Sequence, residues 1–263
     1  MDSNEIRFTS ILDKIPSDST RVLDIGCVRH NENKRNEANL HKRIVEHVEG
    51  EVIGIDVNKN EIEKMREEGY KVHVGDAEKI NLNKNFDIIV AGEVIEHLSS
   101  PGDFLESAGD VLENGGRMVL STPNPDGFAY FRKGLFGQSN NPTHTCWIDP
   151  SNLEVLVNKT DGLELKCWKY LPPVGGISMI LWKLGYDRAS SPGYIAVLEK
   201  KNWHSLMFRQ FSKPFIFPTR RSSIEQKPTG EAIPKLLRRA ISNRLFISVG
   251  THKCQNISAS PKH

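Results

Sequence analysis

Five short apolar runs, separated by helical patterns, constrain the fold of this chain more than any other sequence feature. The runs cover residues 21–27, 51–57, 71–75, 86–91 and 117–121. Several are continuously apolar rather than alternating, which is typical of strands buried on both faces of a parallel sheet. Helical spacing fills the intervals at 32–48, 60–68 and 101–112. The alternation predicts a doubly wound α/β domain with helices on both faces of its sheet.

The pattern changes after residue 121. Residues 122–147 are rich in Pro, Gly, Asn and aromatic side chains, which predicts a long loop or lid. A helix is predicted from 149 to 159, a strand at 163–170 and a last strand at 194–198. We therefore expect a folded domain over residues 1–200 and a separate extension over 201–263.

The net charge of +2 hides a strong asymmetry between these two parts. Residues 201–263 contain twelve Lys or Arg and two Asp or Glu, so the extension carries +10 and the preceding 200 residues carry −8. Apolar and basic residues follow helical spacing over 233–245, so the extension is expected to be helical or irregular. Peripheral association with an anionic membrane and packing on the acidic domain are both open. RNA binding is less expected, because no nucleic-acid module is recognisable.

Other features exclude broad classes of protein. No apolar run approaches the ~18 residues of a membrane-spanning helix, and the first residues lack the basic and apolar regions of a secretory signal. The four cysteines are widely spaced, which argues against a zinc ribbon or a disulfide scaffold. We expect a cytoplasmic protein, located peripherally at the inner face of the membrane if the extension binds lipid.

The ends of the predicted strands carry small or acidic residues. Gly26 ends the first strand, Asp56 the second, and Asp76 and Glu93 follow the third and fourth. Ligands of open α/β sheets bind at the carboxyl ends of the strands, where a glycine permits close backbone approach. A carboxylate at the end of the second strand can accept both hydroxyls of a ribose. The pattern predicts a nucleoside-binding crevice.

These motifs resemble class I S-adenosylmethionine-dependent methyltransferases. The resemblance rests on residues 23–27, 75–77, 86–93 and 112–117, in that order along the chain. It implies a Rossmann-like sheet of seven strands whose last strand is antiparallel, and S-adenosylmethionine as the cofactor. Gly26 would lie near the methionine part, Asp56 on the ribose and Asp76 near the adenine. The expected cofactor-binding residues are Asp24, Gly26, Cys27, Asp56, Asp76, Ala77, Gly92 and Glu93.

The loop after Gly26 departs from the family pattern. The family usually continues with two further glycines at alternate positions, whereas here Cys27, Val28, Arg29 and His30 follow. The missing glycines also argue against a nicotinamide cofactor, since a pyrophosphate needs them. A non-catalytic adaptor or sensor with the same fold is the alternative that this loop favours.

A second group of residues indicates the chemistry. Glu93, Glu96 and His97 are three and four residues apart, so a helical turn would place their side chains on one side. With His144, this set resembles ubiquinone-biosynthesis O-methyltransferases and small-RNA 2′-O-methyltransferases. The resemblance implies that Glu93, Glu96, His97 and His144 bind a divalent cation, Mg²⁺ or Mn²⁺. Similar motifs also occur in related enzymes that need no metal.

The predicted reaction is the methylation of a hydroxyl group. His97 and His144 are the candidate catalytic bases. The acceptor is expected to be a small molecule or a glycan, lipid-linked if the extension binds membranes, because residues 144–150 resemble a segment of methyltransferases of surface-polysaccharide synthesis. A quinone-like phenol and an RNA ribose are the alternative acceptors.

Overall fold

A seven-stranded sheet organises the part of the chain that the computed structural model describes, residues 2–28, 39–137 and 141–201. The strands are β1 (Arg21–Ile25), β2 (Glu51–Asp56), β3 (Val72–Val74), β4 (Phe86–Gly92), β5 (Leu112–Pro123), β6 (Leu163–Tyr170) and β7 (Gly193–Lys200). The helices are α1 (Ser3–Leu12), α2 (Leu40–His47), α3 (Lys59–Glu67), α4 (Pro101–Val111), α5 (Phe128–Leu135), α6 (Pro150–Lys159), α7 (Gly176–Lys183) and α8 (Asp187–Ser190). A short 3₁₀ turn, Ile95–His97, follows β4.

The strand order is β3-β2-β1-β4-β5-β7-β6. The first five strands are parallel to their neighbours, and β7 lies antiparallel between β5 and β6. The predicted Rossmann-like sheet with an antiparallel last strand is confirmed. The chain moves outward from β1 to β3 and then returns to place β4 on the other side of β1, so a crevice opens between these two strands at their carboxyl ends.

Both faces of the sheet are buried, which explains the continuous apolar runs. Leu23 and Ile89 belong to the larger core, with Phe104 of α4 and Leu153 of α6. Their neighbours in sequence, such as Val22 and Val90, belong to the core on the opposite face, which α1 and α2 cover. Alternate residues of one strand therefore enter two different cores, and the buried polar side chains of β1 and β2, Asp24 and Asp56, both have hydrogen-bond partners.

The structure differs from the sequence prediction at four places. Helix α1 has no predicted counterpart, α5 lies inside the predicted loop 122–147, and β5 begins at Leu112 rather than at 117. Helix α2 occupies only the second part of the predicted helix 32–48, most of whose first part lies outside the described residues. The basic extension also lies outside them from residue 202 onward, so the division at residue 200 stays a prediction. None of the helices in the described ranges is long and apolar enough to cross a membrane.

Candidate active site

The carboxyl ends of β1 to β4 border a cleft of about 1000 Å³. All eight predicted cofactor-binding residues line it: Asp24, Gly26, Cys27, Asp56, Asp76, Ala77, Gly92 and Glu93. The side chains of α1 and the start of α2 complete the walls. The structure therefore brings residues from four separate strand ends into one crevice large enough for a nucleoside with an attached amino acid.

Two glycines of the cleft are required by close packing. Gly26 has a φ of +73°, which side chains rarely adopt, and a Cβ there would lie 2.5 Å from Cγ2 of Val94. A Cβ on Gly92 would lie 2.7 Å from Cδ2 of Leu40. A ligand in the cleft would therefore meet backbone rather than side chains at these two positions.

Asp56 is held in a fixed orientation by two backbone groups. The N–H of Asn58 donates to Oδ1 at 2.8 Å, and the N–H of Val28 donates to Oδ2 at 3.3 Å. The carboxylate is 5% exposed. Each carboxylate oxygen can accept a further hydrogen bond. The predicted partner of a ribose is therefore preorganised at the end of β2, on the side that borders the cleft.

A buried pair forms the floor of the cleft. His41 Nδ1 lies 2.9 Å from Oδ2 of Asp24, and both side chains are fully buried. Burial raises the pKa of Asp24, although the hydrogen bond from His41 opposes this effect. Cys27 lies beside them with 3% exposure, and burial raises the pKa of its thiol. His41 was not predicted, because no pattern in the sequence relates it to Asp24.

Helix α1 contributes an unpredicted cation to the cleft. Arg7 lines the cleft and its Nη1 lies 2.6 Å from Oε2 of Glu93. Glu93 has a φ of +58° and is the one non-glycine residue in the described ranges with a positive φ. The helix could have been found from its capping signal, because the Asp2 side chain accepts the N–H of Glu5 at 2.8 Å.

Three of the four predicted metal ligands come together next to the cleft. Glu96, His97 and His144 each offer a ligand atom, and these atoms lie within 4.8 Å of one another. We call these three residues the EHH cluster. Glu93 is not part of it and pairs with Arg7 instead. His97 also lines the cleft, so the cluster and the cleft are contiguous.

The polar atoms of the EHH cluster are only partly satisfied. Thr122 donates to Oε2 of Glu96 at 3.0 Å, whereas Oε1 has no partner among the described residues. Burial raises the pKa of Glu96 to about 7. His97 Nδ1 lies 3.0 Å from the carbonyl oxygen of Thr143. A carbonyl can only accept, so Nδ1 carries the hydrogen and Nε2 keeps a lone pair.

His144 is connected to helix α5 through edge-to-face contacts between aromatic rings. Its ring contacts Trp147 at 5.1 Å between centroids, and Trp147 contacts Tyr130 of α5 at 4.6 Å. Burial, His97 and Lys133 lower the pKa of His144, which favours its neutral form. Burial raises the pKa of Tyr130 to about 12, so its phenol stays protonated. The segment predicted as a lid therefore borders the EHH cluster directly.

Comparisons with known proteins agree with this arrangement. A family model described as "Methyltransferase domain" matches residues 5–166. The ubiquinone biosynthesis O-methyltransferase of Bradyrhizobium diazoefficiens is 33% identical over 110 residues, which are 40% of this chain and 40% of that protein. The same enzyme of Nitrobacter winogradskyi is 32% identical over 110 residues, 40% of this chain and 39% of that protein. The matched segment thus spans about 40% of the length of these curated relatives.

Solved structures share the fold at low sequence identity. The N-methyltransferase NodS from Bradyrhizobium japonicum WM9, in complex with S-adenosyl-L-homocysteine, is 16% identical with a TM-score of 0.52, covering 75% of this chain and 87% of that chain. The [4+2]-cyclase SpnF is also 16% identical, with a TM-score of 0.51 and coverage of 74% and 81%. At these identities the likeness shows the sheet architecture and leaves the acceptor to be argued from the residues.

Proposed function

Because the chain belongs to the class I S-adenosylmethionine-dependent methyltransferases, whose domain model covers more than half of its residues, we propose that it methylates a hydroxyl group. S-adenosylmethionine supplies an activated methyl carbon when it is bound in the cleft. The protein then has to align the acceptor, exclude water and accept a proton. The question for this chain is which residues accept that proton.

The EHH cluster carries the proposal of a hydroxyl acceptor. Methylation of an alcohol or phenol breaks the O–H bond and forms an O–CH₃ bond, while the methyl carbon separates from sulfur. One proton must leave the oxygen. His97 Nε2 is suited to accept it, because the carbonyl of Thr143 holds the hydrogen on Nδ1. His144 is the second candidate base, since its lowered pKa favours the neutral imidazole.

The cofactor would be held by the residues of the cleft. We propose that Asp56 accepts the ribose hydroxyls and that Asp76 lies near the adenine, as the resemblance to the family implies. Arg7 is placed to neutralise the carboxylate of the methionine part, because it lines an otherwise acidic cleft and still has unused N–H donors. Calorimetry with S-adenosylmethionine tests these roles: Asp56→Asn should weaken binding, and no binding by the unaltered chain would contradict the cleft as the cofactor site.

The same cluster is chemically suited to a divalent cation. One carboxylate and two imidazoles are nitrogen- and oxygen-donor ligands within 4.8 Å, and Oε1 of Glu96 is a buried acceptor without a partner among the described residues. Imidazole ligands favour transition metals, whereas Mg²⁺ prefers oxygen donors. We therefore propose Mn²⁺ rather than Mg²⁺ as the ion that Glu96, His97 and His144 would bind. With the ion bound, the lone pair of His97 Nε2 is used for coordination, so His97 acts as the base only in the absence of the ion. A cation there would favour the deprotonated form of an acceptor hydroxyl.

The metal proposal can be tested without any acceptor. The titration of the full chain with MnCl₂, followed by electron paramagnetic resonance, should show one bound ion that Glu96→Gln removes. Glu113→Gln is the matched control, because Glu113 is a half-exposed partner of Arg21. If the unaltered chain binds no Mn²⁺, the ion is excluded and His97 remains the proposed base.

Two acceptor chemistries fit the site. The relatives named as ubiquinone biosynthesis O-methyltransferases favour a phenol, whereas the segment 144–150 favours a glycan hydroxyl. For a lipid-linked acceptor of either kind, the basic residues 201–263 would support peripheral association with an anionic membrane. Substitution of Lys235, Arg238 and Arg239 by Glu in the full chain should then weaken binding to anionic vesicles. Unchanged binding would remove this role of the extension.

Isotope transfer identifies the atom that is methylated. The purified chain is incubated with a cell extract and S-adenosylmethionine labelled with ¹³C in its methyl group. We expect a product heavier by one CH₂ group whose carbon resonance is that of an O-methyl. His97→Gln should lower its formation, and His73→Gln on the exposed strand β3 is the matched control. A labelled N-methyl product would overturn the hydroxyl acceptor while leaving the methyltransferase activity intact.

A further inference from the structure

Helices α5 and α7 bury none of their residues. Six apolar side chains on or beside them are more than half exposed: Phe131, Leu135, Ile177 and Ile180, together with the flanking Phe136 and Leu184. Single exposed apolar residues are normal on protein surfaces, but clusters on neighbouring helices mark sites of interaction. These two helices therefore differ from the others that contact the sheet.

The exposed apolar residues of each helix lie on one side of it, whereas Trp182 of α7 packs against the main core. Ile177, Ile180 and Leu184 are three and seven positions apart, which is one face of an α-helix. Phe131 and Leu135 are four positions apart and also share a face. An ordinary surface helix turns its apolar stripe toward the core. Here the stripes are turned to solvent, with exposures of 59 to 68%.

The charged side chains of the two helices themselves have one sign, although Asp126, paired with Arg188, precedes α5 and Asp187 begins α8. No Asp or Glu occurs in residues 127–148 or 165–186, although residues 1–200 carry a net charge of −8. Arg132 and Lys133 lie in α5, and Lys183 ends α7. Apolar faces flanked by Lys and Arg, with Phe, Leu and Ile exposed, are the composition of helices that lie in a membrane interface.

Helices α5 and α7 both contact α8, and α5 also borders the EHH cluster. Tyr130 of α5 makes an edge-to-face contact with Trp147, and Trp147 makes another with His144 of the EHH cluster. Helix α5 is therefore connected to the groups proposed to accept a proton through the rings of Tyr130 and Trp147.

We propose that the outward faces of α5 and α7, which we call the apolar platform, dock on an anionic lipid bilayer. The bilayer would present the acceptor next to the EHH cluster, a step that rests on the proposed function, whereas the docking itself does not. Charge complementarity selects this occupant, because the platform is the acid-free part of an acidic domain. A second copy bound face to face is disfavoured, because it would bring the Arg and Lys residues of the two copies together and these like charges repel.

Vesicle co-sedimentation of the full chain tests the platform without cofactor or acceptor. Vesicles of phosphatidylcholine are compared with vesicles that contain phosphatidylglycerol. We expect Ile177→Asp/Ile180→Asp to lower the partition coefficient about tenfold on the anionic vesicles, since each apolar side chain withdrawn from the interface and each added negative charge weakens binding. The matched control is Val45→Asp/Val155→Asp, on exposed sites of α2 and α6, which should bind like the unaltered chain.

Parallel measurements decide between the platform and its rivals. Circular dichroism and calorimetry with S-adenosylmethionine verify that each variant is folded, and Ile177→Ser/Ile180→Ser replaces the Asp variant if that one is not. Binding by the platform variant equal to that of the unaltered chain would overturn the proposal and assign membrane contact to residues 201–263. Failure of the unaltered chain to bind anionic vesicles would also overturn it. The proposal would also be overturned if sedimentation velocity showed that the unaltered chain is a dimer, that these substitutions dissociate it, and that vesicle binding is unchanged.

Discussion

Helix α4 and the pair α5 and α7 use apolar residues in opposite ways. Helix α4 turns Phe104, Leu105 and Ala108 into the main core, where all three are at most 1% exposed. Helices α5 and α7 turn their apolar stripes outward and bury no residue. Helix α4 therefore uses its hydrophobic residues for stability. The exposed apolar residues of α5 and α7 stay accessible and can be changed at little cost to folding.

The largest expected effect compares two phenylalanines. Phe104→Ala should lower the free energy of unfolding by about 3–5 kcal/mol, because it removes a fully buried ring and leaves a cavity. Phe131→Ala, at 64% exposure, should change it by less than about 0.5 kcal/mol. Urea unfolding of both variants measures the difference. A comparable loss for the two would show that α5 is packed in solution and would break the comparison.

The buried pair Asp24 and His41 gives the next effect. His41→Leu leaves the Asp24 carboxyl buried without its partner, which should cost about 3 kcal/mol when that carboxyl is charged. The pKa of Asp24 is already raised by burial, and loss of His41 raises it further. The folded state then binds a proton more readily than the unfolded state, so stability falls as pH rises between the unfolded and the folded pKa.

The measurement is urea unfolding of His41→Leu and the unaltered chain between pH 5 and pH 8. The deficit of the variant should be smaller at pH 5, where a protonated Asp24 needs no cationic or donor partner. The double variant Asp24→Asn/His41→Leu serves as the control and should lose the pH dependence. If the loss of unfolding free energy in His41→Leu were the same at every pH, it would contradict the coupling between His41 and the protonation of Asp24.

Two glycines should respond with opposite sign. Gly26→Ala places a methyl group 2.5 Å from Val94 in a left-handed conformation, which should cost at least about 1–2 kcal/mol and weaken binding of S-adenosylmethionine. Gly134→Ala in α5 meets no atom within 4 Å and should raise stability by about 0.5–1 kcal/mol. Thermal unfolding and calorimetry distinguish these outcomes. A stable Gly26→Ala variant with unchanged affinity for S-adenosylmethionine would contradict the prediction that Gly26 belongs to the cofactor site.

The smallest effect compares Arg7, which lines the cleft, with Arg132 of α5. Arg7→Met should weaken binding of S-adenosylmethionine about tenfold without unfolding the protein, because it removes a charge-assisted contact with the methionine part. Arg132→Met on the exposed face of α5 should leave that affinity unchanged. Calorimetry measures both dissociation constants. Equal affinities for the two variants would show that Arg7 pairs with Glu93 and does not contact the cofactor.

The parallel sheet was predictable because its strands obey a simple physical rule. Strands buried on two faces are apolar at nearly every position, as residues 52–55 and 88–91 are, and such runs are visible in the sequence. Helix α5 was hidden because its helical spacing points to solvent, and Gly and Pro on both sides resemble a loop. The start of β5 was hidden for a similar reason, since Gly115 and Gly116 indicate a turn.

The residues that line the cleft were predictable only where they lie at the ends of strands. The cleft contains Gly26, Asp56 and Asp76 as expected, because parallel strands necessarily bring their carboxyl ends to one edge. Arg7 lines the cleft from α1, and His41 of α2 supports Asp24 from behind it; these contacts depend on how α1 and α2 pack against the sheet. Such contacts join residues far apart in sequence and leave no periodic pattern.

The burial of Cys27 makes the alkylation rate of its thiol a probe of the cleft. The thiolate is the reactive form of cysteine, and a side chain that is 3% exposed with a raised pKa is shielded from alkylating reagents. Its labelling rate therefore measures how often the end of β1 opens. A ligand that binds only the closed form makes opening rarer in proportion to its saturation, by about a hundredfold at a concentration of 100 dissociation constants. Alkylation kinetics at this one sulfur would thus report the occupancy of the cofactor cleft even before any acceptor is known.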